Sequence, residues 1–345
     1  MTIWIDICHT PQYNFYKQFI LRASQEGHTV LLTVLDRGKT PTIVHSEMRD
    51  TRGVEVYVIG RHRMTKWSAI WDANILRLWQ LWCWTRGRQI DLVLSNCMAA
   101  MIIGKRLGVR RYSFDDDPET IDFLPKKWCS LESNYCLYDD TKTAQAGGSV
   151  QVLRCLKEWS YLSPRVFEPH VEALQVYGLQ PKEYVFVREV TVGTVNYAGQ
   201  SSGAVLSVCD QLPKNKKVLF SLEEKERRGF YPKDWIMLQE PVKDIHSLIY
   251  FSAGLVSSGD SMAREAALLG VPAYYLGVRH TMPANRAAHT VADLQNEESM
   301  AFEQWVKTLP DNITEAEEKQ QRLREKIDHE FIDINQYMID LLKGI

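Results

Sequence analysis

Residues 2–34 read TIWIDICHTPQYNFYKQFILRASQEGHTVLLTV. Thr2–Ile7 is a run of apolar and β-branched residues, the composition of a strand buried on both faces. From Gln12 to Glu26 the pattern turns helical, with Phe15, Phe19 and Ile20 recurring at helical spacing. Gly27-His28 then closes the helix as a glycine just beyond the last turn does. Thr29–Val34 follows as a second buried strand, which completes a β-α-β unit.

The same alternation runs through the rest of the chain. A strand at Val54–Ile59, a Trp-rich helix, DLVLS at 91–95, a helix to Leu107 and RYSF at 111–114 follow in order. The pattern becomes irregular near Lys157–Pro169, where the linker is placed, and resumes with YVFV at 184–187 and KVLF at 217–220. A helix around 244–251, a strand at 254–257, a helix from about 261 to 269 and the strand PAYYL at 272–276 complete the second half. Parallel neighbours need crossover connections, so this alternation predicts parallel sheets with helices on both faces. The chain of 345 residues suits two domains. The boundaries are placed at 1–165 for an N-terminal Rossmann-like domain, 166–318 for a C-terminal one, and 319–345 for an amphipathic helix crossing the domain boundary.

Lys plus Arg number 41 and Asp plus Glu 43, so the net charge of −2 supplies no general attraction to nucleic acid. The seven cysteines are scattered, with no C-x-x-C pair, which fits a reducing cytoplasm. The opening reads as a strand, with no basic n-region or cleavable apolar stretch, and no run of about 18 apolar residues occurs, so neither secretion nor a membrane span is expected. The expected location is the cytoplasm, with the inner face of the membrane as an extension.

The most informative stretch is residues 257–272, SSGDSMAREAALLGVP, a strand end, a tight turn, a helix and a new strand. Gly259 lets backbone approach a ligand, while the amides of Ser261–Ala263 and the positive end of the helix suit a diphosphate. Ser258, Gly259, Asp260, Ser261 and Met262 are therefore candidate nucleotide-binding residues. Glu265, one turn on, is placed to accept hydrogen bonds from ribose hydroxyls. The same residues also fit a plain turn, a helix cap at Asp260 and a solvated charge at Glu265.

This stretch resembles the nucleotide-binding motif of GT-B enzymes, among them the N-acetylglucosaminyltransferase of peptidoglycan synthesis and UDP-N-acetylglucosamine 2-epimerase. The whole chain resembles a prokaryotic family of GT-B type, the domain of unknown function numbered 354 (DUF354). Ile3–Ile7 with His9, Phe114–Asp116, Lys157–Leu162, Arg188, Tyr197 and the run from Met262 to Gly270 carry that likeness. The resemblance implies two Rossmann-like domains whose sheets face each other across a cleft, with a nucleotide sugar such as a UDP-sugar held by the C-terminal one. Two departures stand out. Asp260 occupies a place where the family often has glycine, so that either a divalent cation offsets its charge or the site is altered. Gln12 and Asn14 stand where the family can carry histidines.

Three further candidates lie at strand ends, the edge where open α/β sheets bind ligands. His9 suits a general base acting on an acceptor hydroxyl, or else is a loop histidine bonding its own backbone. Asp115 and Asp116 suit acceptor orientation or proton removal, or else form a solvated turn. Arg188 is placed to clamp phosphate oxygens, or else pairs with Glu189 or another acid nearby. Asp6 reads as structural, and Glu223 and Glu224 as solvated. A helix over 67–84, rich in Trp and flanked by Arg and Lys, fits either a core crossover helix or peripheral membrane contact. The expected function is a glycosyltransferase of surface polysaccharide or glycoconjugate synthesis, taking a sugar or lipid-linked acceptor and requiring no cofactor. A nucleotide-sugar epimerase or hydrolase, and a non-catalytic GT-B-like binding protein, are the alternatives.

Overall fold

Five of the six residues of β1 (Thr2–Ile7) are buried, as a strand covered on both faces requires. The computed structural model describes residues 1–61, 76–115, 133–137, 150–192, 199–240 and 242–344. After β1 come α1 (Thr10–Gln25), β2 (Thr29–Asp36), α2 (Thr40–Met48), β3 (Val54–Arg61), α3 (Arg77–Thr85), β4 (Leu92–Ser95) and α4 (Met98–Leu107). The strands β5 (Arg110–Asp115), β6 (Ser133–Leu137) and β7 (Val150–Leu153) and the short α5 (Trp159–Leu162) follow. All seven strands are parallel, in the order β3-β2-β1-β4-β5-β6-β7. The chain therefore builds outward from β1 in one direction, then turns back to β4 on its other side. Helix α1 starts at Thr10, earlier than its apolar spacing indicates, because His9 caps it and Pro11 stands in its first turn.

The second sheet repeats this plan with β8 (Tyr184–Glu189), β9 (Lys217–Leu222) and β10 (Ile236–Met237). Then come α6 (Ile245–Tyr250), β11 (Gly254–Ser257), α7 (Asp260–Leu268), β12 (Ala273–Tyr275), α8 (Pro283–Ala292), β13 (Gln295–Asn296), α9 (Phe302–Val306), α10 (Ile313–Glu330) and α11 (Ile334–Lys343). Its six parallel strands run β10-β9-β8-β11-β12-β13. The reversal of direction falls between β1 and β4 in the first sheet, and between β8 and β11 in the second.

Two units result, the first made of Met1–Tyr161 with Ile332–Ile345 and the second of Leu162–Phe331. Residues 319–345 are not one helix, contrary to the sequence reading. Helix α10 ends at Glu330 within the second unit, Asp333 caps α11 by accepting from the Gln336 amide, and α11 packs on α1 in the first unit. Trp4, Leu31, Leu81, Val93 and Ile103 lie in the core of the first unit, and Val187, Phe220, Val256, Tyr274 and Trp305 in that of the second. Among the described residues no helix is long and apolar enough to cross a membrane.

Lys182 precedes β8 and is 5% exposed, with its ammonium donating to the carbonyls of Tyr250 (2.9 Å) and Ser252 (3.1 Å) and to Gln320 Oε1 (2.8 Å). These acceptors are neutral, and burial pulls the ammonium down from 10.5 to about 8. Above pH 8 the folded chain sheds this proton while the unfolded chain still holds it, so this group makes stability rise with pH. From pH 8 to 10 the gain is about 2–3 kcal/mol. Denaturant titrations of the wild type against Lys182→Met over that window should show it, and equal pH slopes would refute it.

Candidate functional site

The turn between β11 and α7 lies at the carboxyl edge of the second sheet, at the point where strand order reverses. Ligands of open α/β sheets bind at such points because the flanking loops diverge there. Arg188, in β8, is the register partner of Ser257 in β11. The Ser258 amide donates to the Arg188 carbonyl (3.0 Å), which sets the arginine beside the turn. Side chains hold the turn further. Ser257 Oγ accepts from the Gly259 amide (2.9 Å) and donates to the Gly259 carbonyl (2.7 Å). Ser258 Oγ accepts from the Val190 amide (2.9 Å), and Gln200 Nε2 donates to the Ser258 carbonyl (2.9 Å). Gly259 has φ −105° and ψ 134°, a conformation open to any residue. Conformational freedom is therefore not what this glycine supplies.

Asp260 differs from its sequence reading. Its carboxylate does not stand bare beside the turn: it is 4% exposed and bound by two arginines, Arg264 NH1 at 3.1 Å and Arg279 NH1 at 3.5 Å. Its other oxygen accepts from the Ser261 amide (3.0 Å), so that donor at the helix start is already taken up. Arg264 also donates to Asn285 Oδ1 (2.6 Å), and Asn285 Nδ2 donates to the Arg279 carbonyl (2.6 Å). The repulsion that suggested a divalent cation is answered by guanidinium groups of the chain itself. Ser261 and Met262 remain half-exposed at the rim.

Glu265 is nearly buried, and His246 Nε2 of α6 lies 3.5 Å from its Oε1. Arg188 donates to Ser221 Oγ (2.7 Å) and to Glu223, with 22% of its side chain exposed. Glu223 is thus not simply solvated: its second oxygen accepts from the Thr191 amide (2.8 Å). The arginine is oriented by β9, its neighbour on the far side from the turn. The second unit accordingly brings together Arg188, the 257–262 turn and Glu265, and adds His246, Arg264, Arg279 and Gln200.

In the first unit His9 caps α1, its Nδ1 accepting from the Gln12 amide at 3.4 Å. Asp115 ends β5, while its side chain and Asp116 lie outside the described residues. Asp6 is structural, its carboxylate held by both terminal nitrogens of Arg77 at 2.8 and 2.5 Å and by Thr33 Oγ1 at 2.6 Å. Cys8 and Cys97, separated by 89 positions, are joined as a disulfide between the end of β1 and the start of α4. The scatter of cysteines along the sequence held no hint of it. Among the described residues Asp6, Cys8 and Cys97 have the residue types of a metal centre. Their ligand atoms are committed to Arg77 and to each other. Of the Trp-rich segment, Trp67 and Trp71 lie outside the described residues. Trp82 packs under Arg106, Trp84 lies against Trp4 and Tyr57, and Trp79 is 63% exposed.

Solved structures with the same fold span the whole chain. The glycotransferase of kitacinnamycin is 12% identical, with a TM-score of 0.63 over 99% of this chain and 98% of its own. UDP-GlcNAc 2-epimerase from Neisseria meningitidis, solved with UDP-GlcNAc bound, is 12% identical, with a TM-score of 0.63 over all of both chains. MurG from Acinetobacter baumannii is 11% identical, with a TM-score of 0.55 over 100% and 99%. The fold is GT-B. No family model and no curated protein matches the sequence, so the likeness to DUF354 rests on the quoted residues alone. At these identities the similarity is one of fold, and function has to be argued from the site.

Proposed function

We propose that the chain is a glycosyltransferase that takes a nucleotide sugar, a UDP-sugar or one like it, at the β8/β11 switch point of its second unit. The observation that carries this reading is the register of Ser257 with Arg188, which brings the strand end bearing this arginine next to a helix start at the ligand-binding edge. The diphosphate lies over the Gly259–Met262 turn, with Arg188 on its oxygens and Glu265 on the ribose hydroxyls. In the reaction an acceptor oxygen bonds to the anomeric carbon as the bond to the diphosphate breaks. Arg188 and the helix start stabilise the departing charge as the acceptor gives up its proton to a base. A sugar or lipid-linked acceptor of surface polysaccharide or glycoconjugate synthesis suits such a transfer.

Melting temperature with and without UDP, UDP-GlcNAc and other nucleotides tests the donor site. A ligand at one hundred times its dissociation constant adds about 2.7 kcal/mol, and Glu265→Ala should abolish that shift. A wild type indifferent to every nucleotide sugar defeats the proposal. The similarity to UDP-GlcNAc 2-epimerases supports a second reading, epimerisation or hydrolysis at the same donor site. Conversion of UDP-GlcNAc without an acceptor would select it over transfer.

A further inference from the structure

The loops after β1 and β4 flank the point where strand order reverses in the first sheet, the edge at which open α/β sheets take ligands. Cys8 stands in the first loop and Cys97 in the second, and their disulfide ties the two together with Cα atoms 6.8 Å apart. Among the described residues the other cysteines, Cys83, Cys155 and Cys209, are free. The proposed transfer makes no use of this bond.

The surroundings suit two separate sulfurs as well as the bonded pair. Cys97 Sγ lies 3.7 Å from Gln12 Oε1 and 3.9 Å from the Asp6 carbonyl oxygen, so a Cys97 thiol has acceptors for its hydrogen. Arg77 NH1 lies 3.6 Å from Cys8 Sγ, so a Cys8 sulfur set free keeps a donor. Cys97 is also the N-cap residue of the ten-residue α4, where the helix dipole favours a thiolate as it leaves. Access differs between the two sulfurs. Cys8 is half-buried and Cys97 is 8% exposed, so an incoming thiol meets Cys8 and expels Cys97.

We propose that Cys8–Cys97 is a reversible redox switch, which closes the ligand edge of the first sheet when oxidised and frees it when reduced. The reductant is a small thiol such as glutathione. Its thiolate bonds to Cys8 Sγ as the Sγ–Sγ bond breaks, and the electron pair leaves on Cys97 Sγ, which takes up a proton. A second thiolate bonds to the sulfur of the first small thiol, so that the small disulfide departs and Cys8 Sγ takes up a proton in turn. Two electrons thus pass from two small thiols to the two cysteines, and the oxidised small disulfide runs the same steps backward.

While the bond is intact, the two lips of the edge move as one. The Cys8 amide donates to Gln12 Oε1 (2.8 Å) and the Cys97 amide to Ser95 Oγ (2.8 Å), which couples each sulfur to its own loop. Reduction leaves hydrogen bonds between the lips, such as Tyr16 to Asn96 (3.2 Å), in place of a covalent tie, and such bonds open locally.

The test equilibrates the full chain in mixtures of reduced and oxidised glutathione without denaturant, quenches it in acid, and maps alkylated cysteines by mass spectrometry. Cys8 and Cys97 should pass together between bonded and alkylated, and reversing the mixture should restore the first state. A pair that yields only after denaturation, or that never bonds, overturns the switch. Hydrogen exchange reads the closure. Amides of residues 8–12 and 96–101 should exchange about tenfold faster in the reduced chain, and equal rates in both states overturn it. Cys97→Ser, which keeps a polar side chain at the cap and cannot form the bond, should exchange at the reduced rate in either mixture. Should that variant not fold, the wild-type comparison still decides. UDP binding to the second unit is a separate readout: redox-dependent exchange in a chain that binds no UDP keeps the switch and defeats the nucleotide reading instead.

Discussion

Arg77→Met should destabilise the first unit by about 3–5 kcal/mol, the usual cost of stripping one partner from a buried ion pair. Arg77 is 1% exposed and Asp6 fully buried, so the carboxylate left behind has no water to turn to. Arg77 Nε also donates to the Ile59 carbonyl (3.0 Å), and that acceptor would lose its donor too. Thr33 Oγ1, itself accepting from Trp4 Nε1 at 2.8 Å, would be the only side-chain donor remaining to the acid among the bonds described above. Gly60→Ala should have a similar effect by a different route. Gly60 has φ +82°, and an added Cβ would stand 2.8 Å from Arg77 Cδ, so both backbone and arginine would be strained. Denaturant titration followed by tryptophan fluorescence measures these losses. Removing both charges, in Asp6→Leu with Arg77→Met, should recover much of the loss, because the cost lies in the unpaired charge more than in the missing contact. A loss below about 1 kcal/mol in Arg77→Met would place the pair among surface bridges and contradict the burial.

Asp260→Ala should cost the second unit about 3–5 kcal/mol for the same reason. Here the stranded group is Arg264, at 1% exposure, whose remaining bond described above is to Asn285. The substitution also frees the Ser261 amide and releases Arg279 from its acid. Nucleotide binding should then respond in a characteristic way. Neutralising Asp260 leaves a more positive helix start, so a variant that folds should bind UDP at least as tightly as the wild type, and EDTA should leave wild-type binding unchanged. Loss of UDP binding on chelation would show that a divalent cation, in addition to the arginines, balances the charge. The stability loss and the affinity are separable readouts, one from denaturation and one from titration at a temperature where both proteins are folded.

Much of this architecture is legible without coordinates, because local periodicity carries it. Runs such as Ile3–Ile7 and Val30–Val34 have no polar face and can only be interior strands of a covered sheet. The helix start after Ser258-Gly259 is equally local. Glycine and serine in a short turn, followed by DSMAREAALL, announce strand, turn and helix within a dozen residues. Glu265 and Arg188 were placed correctly on their elements for the same reason. One salt bridge was also within reach, since Asp260 and Arg264 stand four apart on a helix, the spacing at which side chains meet.

Pairings across the chain were not legible. Asp6 with Arg77, Arg188 with Glu223, Arg279 with Asp260, Glu189 with Tyr231 and Cys8 with Cys97 join residues 19 to 89 positions apart. A charge or thiol in a loop reads the same whether it faces water, a ligand or its opposite. Even the break that divides residues 319–345 into two helices depends on where each half packs, because α10 is mostly exposed and only α11 carries a strong apolar face. Periodicity governs which face of an element is buried, and so the order of strands and helices is written along the chain. The partner of a polar group is chosen through space, where desolvation forces each buried charge to find its complement, and this choice places Asp260 at the centre of an ion network.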